Sequence, residues 1–346
     1  MTFPHFISFT LINACNLRCQ MCGQWSREGY IKNRTKQSGR SMLPSDWMRL
    51  VEEAADHDIR CIILRGGEPF LYPGIMDLLK TINSKGIPVS IDTNGTLLQK
   101  YAADLVQLGN MHITFSVDGP EDVHDAVRGV PGSFQKTKAN IKLLNDLETK
   151  NGQTISKSVC FTISPYSYKG LGQMPEVARS LGIDSINIVP YYYVPSQIGE
   201  IYEQELKDQF NCPAYSWHGF HHDDSGIDFD RFRDEYRTYL ANLDGITDYP
   251  YMDLSEDEYQ TWFRDASTPV KSSACRNIED LIDIQPDGEA NFCVDFPDYN
   301  IGNVKDASIA ELWNSERAQQ FRVYRRGNPF AVCGRCGAKY MSEIRD

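Results

Sequence analysis

Strand and helix signals alternate through the first 195 residues, and that alternation leaves the chain few architectures. Short runs rich in Ile, Val, Phe or Thr recur at 6–12 (FISFTLI), 61–69 (CIILRGGEP), 89–95 (VSIDTNG), 112–119 (HITFSVDG), 158–164 (SVCFTIS) and 185–192 (SINIVPYY). Each has the length and composition of a buried strand. Between them lie amphipathic stretches such as PSDWMRLVEEAADH and FQKTKANIKLLNDLE, several followed by glycine. Parallel neighbours need crossover connections, so the pattern predicts an α/β fold, a parallel sheet with helices outside. Six units fit either a barrel or an open doubly wound sheet. Both gather ligands at the C-terminal ends of the strands.

Just after the first predicted strand, NACNLRCQMCGQW places Cys15, Cys19 and Cys22 on a C-x3-C-x2-C spacing. Thiolates select zinc, copper(I) or iron–sulfur clusters. A closed zinc site or a fully protein-ligated cubane wants four ligands. Three therefore leave one iron of a cubane open, or hold zinc with a remote partner such as His112 or His124. The tail repeats the question. Cys275 and Cys293 flank a turn at Pro286, Asp287 and Gly288, and CGRC supplies Cys333 and Cys336. Four thiolates can close one site, and by spacing zinc and a cluster fit about equally.

The wider composition excludes several classes. With 35 Lys and Arg against 47 Asp and Glu, the formal charge is -12, which argues against a nucleic-acid binder. No apolar run approaches a membrane span, and the N-terminus lacks a basic leader. Closely spaced cysteines without an export signal read as metal ligands, so the expected location is a reducing cytoplasm. From about 195 to 265 the periodicity fades into the polar, aromatic FNCPAYSWHGFHHDDSGIDFD, followed by a helical RFRDEYRTYLANL. The expected division is 1–195, a bridge over the strand ends at 196–268, and a cysteine-bearing tail at 269–346. His221 to Asp224 (HHDD) are read as a solvated loop, and Cys61 and Cys160 as small core residues.

CNLRCQMC resembles the signature loop of the radical S-adenosylmethionine (SAM) enzymes, with Met21 where that family usually has an aromatic residue. The resemblance implies a partial (β/α)6 TIM-type barrel in which Cys15, Cys19 and Cys22 hold a [4Fe–4S] cluster and SAM chelates the open iron. Reductive cleavage of SAM then yields a 5′-deoxyadenosyl radical that abstracts hydrogen from substrate. RGGEP is similar to the family's GGE segment, implying that Gly66, Gly67 and Glu68 meet the SAM ammonium. Thr93 and Asn94 would stand at the ribose, Ser116 and Arg128 at the SAM carboxylate, and Val189 and Pro190 against adenine. Asp118 and His124 lie in the same segment, His124 being read as fixing its loop. PDGEANFC followed by YNIGNVKDASIAELWNS resembles the SPASM/twitch extension. Its four cysteines, against seven in a full SPASM domain, imply one auxiliary [4Fe–4S] cluster, fully ligated and suited to electron transfer.

Two chemistries follow from the resemblance. With the auxiliary cluster as acceptor the outcome is net oxidation, expected on a peptide or protein side chain. With a thiol returning hydrogen it is a redox-neutral inversion, for which Cys212 in the bridge is the candidate donor. A sugar or cofactor precursor is the alternative substrate. The first strand begins at about residue 6, so a peptide substrate would be delivered by a separate leader-binding protein. A flavodoxin- or ferredoxin-type donor would supply electrons. A cluster-bearing redox carrier and a zinc-stabilised interaction protein are the competing classes. RGGEP and HDAVRGVPGSF argue against the carrier, which has no use for SAM contacts.

Overall fold

Six parallel strands cross the sheet in chain order: β1 (Phe6–Thr10), β2 (Cys61–Arg65), β3 (Val89–Thr93), β4 (Met111–Ser116), β5 (Ser156–Ile163) and β6 (Ser185–Pro190). The computed structural model describes residues 2–33, 41–271 and 275–337. A doubly wound sheet reverses its order at a switch point; this one does not, and it is a partial (β/α)6 barrel of TIM type. β7 (Thr247–Asp248) pairs in parallel with β6, and β8 (Leu281–Ile284) in parallel with β1. β9 (Glu289–Asn291) and β10 (Asn300–Asn303) continue antiparallel beyond β8. The tail thus extends the barrel sheet, with Phe6 opposite Leu281 and Ser8 opposite Asp283. The order runs from β10 to β7, leaving the barrel unclosed.

The strands are two-faced rather than wholly apolar. Burial alternates residue by residue along β2, β3, β4 and β6. On β4, Met111, Ile113 and Phe115 pack under the helices while His112, Thr114 and Ser116 turn inward. TIM-barrel interiors are ordinarily filled by branched apolar layers. Here Ser90, Asp92, Ser158, Cys160 and Asn187 help line a lumen of about 1370 Å³. Cys61 and Cys160 belong to that lumen and not to the core, because the two-residue period places them on the inward face.

The bridge is more regular than its sequence suggests. It opens with a helix at Ser196–Phe210, ended by Asn211 at φ +49°, and continues with helices at Phe229–Ala241 and Glu256–Arg264. The HHDD run caps the first of these. Asp223 Oδ1 accepts from the Ser196 N–H at 3.1 Å and its hydroxyl at 2.9 Å, a task that the preceding Pro195 has no side chain to perform. The bridge also presses on the cysteine loop. A Cβ on Gly23 would lie 2.3 Å from Phe220, and one on Gly219 would lie 1.9 Å from the Gly23 carbonyl.

Candidate active site

Backbone bonds fold the Cys15–Cys22 loop over the strand ends. Gly67 N–H donates to Ile12 O at 2.7 Å and Glu68 N–H to Ala14 O at 2.9 Å. On the other side Arg18 and Gln20 N–H donate to the carbonyls of Arg128 and Val127. The loops can approach this closely because Gly66 and Gly67 lack side chains. A Cβ on Gly67 would sit 2.2 Å from Ala14 O, and one on Gly66 would sit 2.5 Å from Ile12 O. Cys15, Cys19 and Cys22 all face a mouth cavity of about 400 Å³. Burial pushes all three thiols up, Cys22 to about 12, so metal binding must displace protons here. Three soft donors around a pocket with glycine backbone on its rim fit a cluster with one open iron. Neither imidazole is offered as a fourth ligand. His112 bonds Ser156 and Ser158, and His124 Nδ1 accepts from Asp118 N–H.

Most of the expected SAM contacts meet around this cavity: Gly66, Gly67, Thr93, Asn94, Ser116, Arg128, Val189 and Pro190. Glu68 stands behind it. Its Oε1 accepts from the Thr93 hydroxyl at 2.7 Å and the Phe70 N–H at 3.1 Å, and its Oε2 from the Asn94 N–H at 2.9 Å. The carboxyl therefore ties the loops after β2 and β3 together. Burial lifts it to about 7 against those bonds. Arg128 pairs with buried Asp118, Nε to Oδ2 at 2.6 Å, and Nη1 donates to Cys19 Sγ at 3.5 Å. Burial pushes the Asp118 carboxyl up while Arg128 draws it back. His124 is fully buried and held well below its usual value, to about 3, mainly by burial. It fixes its loop, as expected.

Sequence reasoning missed Arg65, Asp92, Tyr251 and Asp295, which complete the mouth. Arg65 pairs with Asp92 at 3.0 Å. Both occupy inward positions that the strand period could have revealed. Of the three tyrosines after β6, Tyr191 and Tyr192 reach the mouth, while Tyr193 donates to Trp262 O at 2.8 Å in the bridge. Cys212 is not brought to the mouth. The residue is 8% exposed and its thiol donates to Asp298 O at 3.0 Å, because Asn211 turns the chain toward the tail. Cys160 instead lies in the lumen opposite Ser116, which borders both cavities.

The four tail cysteines come together. Cys275, Cys293, Cys333 and Cys336 surround a cavity of about 30 Å³. Among the described residues no group of His, Cys, Asp or Glu side chains is gathered for a single metal ion. All four thiols line one space, and four soft thiolates are a ligand set that an iron–sulfur cluster takes. Arg335 fastens their CGRC loop to the bridge, Nη1 donating to Thr268 O at 3.0 Å and Nη2 to Thr261 O at 3.1 Å. Val294 and Asp295 border this cavity on one side and the mouth cavity on the other. Asp295 is raised to about 6, chiefly by burial.

Comparison with known proteins agrees with this geometry. A model of the radical SAM superfamily matches residues 9–166, and one of the SPASM iron–sulfur cluster-binding domain matches 275–337. The AdoMet-dependent heme synthase of Methanosarcina barkeri is 26% identical over 57% of this chain, and the chain spans about half (53%) of that relative's length. The subtilosin biosynthesis protein AlbA of Bacillus subtilis is 23% identical over 99% of this chain and 68% of its own. In fold, the chain resembles Streptococcus suis SuiB bound to its precursor peptide SuiA, with a TM-score of 0.65, 15% identity, and coverage of 100% of this chain and 74% of that one. Among the described residues no helix is long and apolar enough to cross a membrane. With a SAM-binding [4Fe–4S] site in the barrel and an auxiliary cluster site in the tail, the chain belongs to the radical SAM superfamily, in the subgroup carrying a C-terminal SPASM domain.

Proposed function

We propose that the enzyme oxidatively modifies a peptide or protein side chain, with the tail cluster receiving the electron that the substrate gives up. The observation that carries this reading is the shared wall. Val294 and Asp295, which run straight on from Cys293, line both the mouth cavity and the cavity of the tail cysteines. Cys15, Cys19 and Cys22 would hold the first cluster, which would supply the electron for reductive cleavage of SAM to a 5′-deoxyadenosyl radical. The chain's own residues do the rest. Gly66 and Gly67 offer close backbone approach, Arg128 offers a cation for the SAM carboxylate, and Val189 and Pro190 offer an apolar face to adenine. The bridge, through Phe220, shields the mouth from water.

A peptide substrate is favoured by the peptide-bound SuiB relative and by AlbA, a bacteriocin biosynthesis protein. The heme synthase favours the alternative, a small cofactor precursor. In a redox-neutral version Cys160 replaces Cys212 as hydrogen donor, since it is the thiol that borders the lumen beside Ser116. We place the enzyme in a reducing cytoplasm, with a flavodoxin- or ferredoxin-type donor, because its function needs thiolates kept from disulfides.

The test is anaerobic incubation of the reconstituted enzyme with SAM, reductant and candidate peptides, read by mass spectrometry. The oxidative reading expects loss of two hydrogens per 5′-deoxyadenosine formed. It expects Cys293→Ala to stop product while SAM cleavage continues. Unchanged substrate mass in ordinary water with one solvent deuterium incorporated in heavy water, and loss of that incorporation in Cys160→Ser, would replace it with inversion.

A further inference from the structure

Among the described residues lining the tail cavity, one is a cation. Arg325, near the end of the helix Glu316–Gly327, is 5% exposed. Its Nη2 donates to Cys333 Sγ at 3.0 Å and its Nη1 to Asn328 O at 2.5 Å, while the guanidinium lies 4.6 Å from the Phe330 ring centre. No carboxylate is in ion-pair contact with it among the described residues. Its charge is felt by all four thiols. Arg128 is the corresponding cation at the first loop, but it is paired with Asp118 and stands farther from its sulfur, at 3.5 Å. One guanidinium is neutralised and the other is not.

We propose that Arg325 is a positioning residue that sets the reduction potential of the tail cluster above that of the SAM-binding cluster. The inference rests on the reading of the tail as an electron acceptor. Reduction adds one negative charge to the cluster and its thiolates. An unneutralised cation in a poorly screened pocket stabilises that added charge, and a hydrogen bond to a ligand sulfur withdraws electron density from it. Both effects favour the reduced form. Asp295 borders the cavity, and Asp298 lies behind Tyr202, whose hydroxyl donates to it at 2.9 Å. Both carboxylates push the other way, so the guanidinium is what keeps the site a competent acceptor. Phe330 and the Asn328 carbonyl fix the guanidinium plane so that one N–H points at Cys333.

The experiment is an EPR-monitored redox titration of the reconstituted full chain, alone and as Arg325→Gln and Arg325→Lys. The Cys15→Ala/Cys19→Ala/Cys22→Ala variant identifies which signal belongs to the tail. Arg325→Gln is expected to move the tail midpoint to more negative potential and to leave the first cluster's midpoint in place. Arg325→Lys, which keeps charge but not the fixed fork, is expected to move it less. An unmoved tail midpoint with iron content retained overturns the proposal. So does an equal shift of both signals, or loss of tail iron in both variants, which would make Arg325 a requirement for assembly instead. A parent triple-cysteine variant without iron would refute the cluster reading of the tail itself, a separate and earlier failure.

Discussion

The Thr93 hydroxyl donates to Glu68 Oε1 at 2.7 Å, joining the loop after β3 to the loop after β2 directly beneath the mouth. Glu68 is 1% exposed, and burial lifts its carboxyl from 4.5 to about 7. A carboxyl raised above its unfolded value contributes most below about pH 4.5, where it is protonated in both states. That contribution is lost as pH rises through about 7. The apo chain should therefore lose about 3 kcal/mol of stability across that interval from this group. Glu68→Gln, which stays neutral, should lack this slope whatever its constant offset. Urea denaturation of both chains at about pH 5 and about pH 8 checks it; parallel pH dependence would contradict the assignment.

Gly67 is a close-approach position, not a turn that any residue could fill. A Cβ would meet the carbonyls of Ala14 at 2.2 Å and Asn13 at 2.4 Å. Both are backbone, so the cysteine loop itself must move. Gly67→Ala should lose most iron from the first site while keeping the roughly four tail irons. Iron and sulfide counts after anaerobic reconstitution decide it, and full retention at both sites would refute the argument.

Arg128 and Asp118 form a buried ion pair, with side chains 9% and 0% exposed. Removing one partner strands the other. Arg128→Met should destabilise the chain by about 3–5 kcal/mol, and Arg128→Met/Asp118→Asn by distinctly less. A double-mutant cycle by chemical denaturation measures the coupling. Additive effects would show that the pair contributes through its separate contacts alone.

Arg335 is 2% exposed and holds the CGRC loop to the bridge through the Thr268 and Thr261 carbonyls. Arg335→Ala removes both bonds, at a net cost of about 0.5–1.5 kcal/mol each. Tail iron should then be lost to a chelator faster than in the parent, with first-site iron unaffected. Equal rates at the tail would show that the loop is held by other means.

Much of the barrel was legible because strand and helix periods are local. Each of the six strands lies where its run of Ile, Val, Phe or Thr predicts, and the helix expected at RFRDEYRTYLANL begins two residues earlier, at Phe229. The helix Ser196–Phe210 was less legible, since its polar face dominates and its cap, Asp223, lies in a loop 27 residues away. Cys160 is not legible as a lumen residue because an inward thiol and a core thiol occupy the same kind of apolar run. Cys212 was placed at the mouth by chain order, whereas Asn211 redirects it to Asp298.

By itself, the sequence determined the parallel sheet, the two cysteine sets and the glycines that let the loops meet, because these depend on spacing and on residues close in the chain. Tertiary structure decided that β8 joins β1 in the barrel sheet, that Glu68 staples loops from behind the mouth, and that Arg325 reaches Cys333. It also decided that Val294 and Asp295 stand between the two cysteine cavities. Each of these depends on residues far apart in sequence, or on which side of a strand or loop faces a neighbour, and packing the helices and bridge against the sheet is what fixes both.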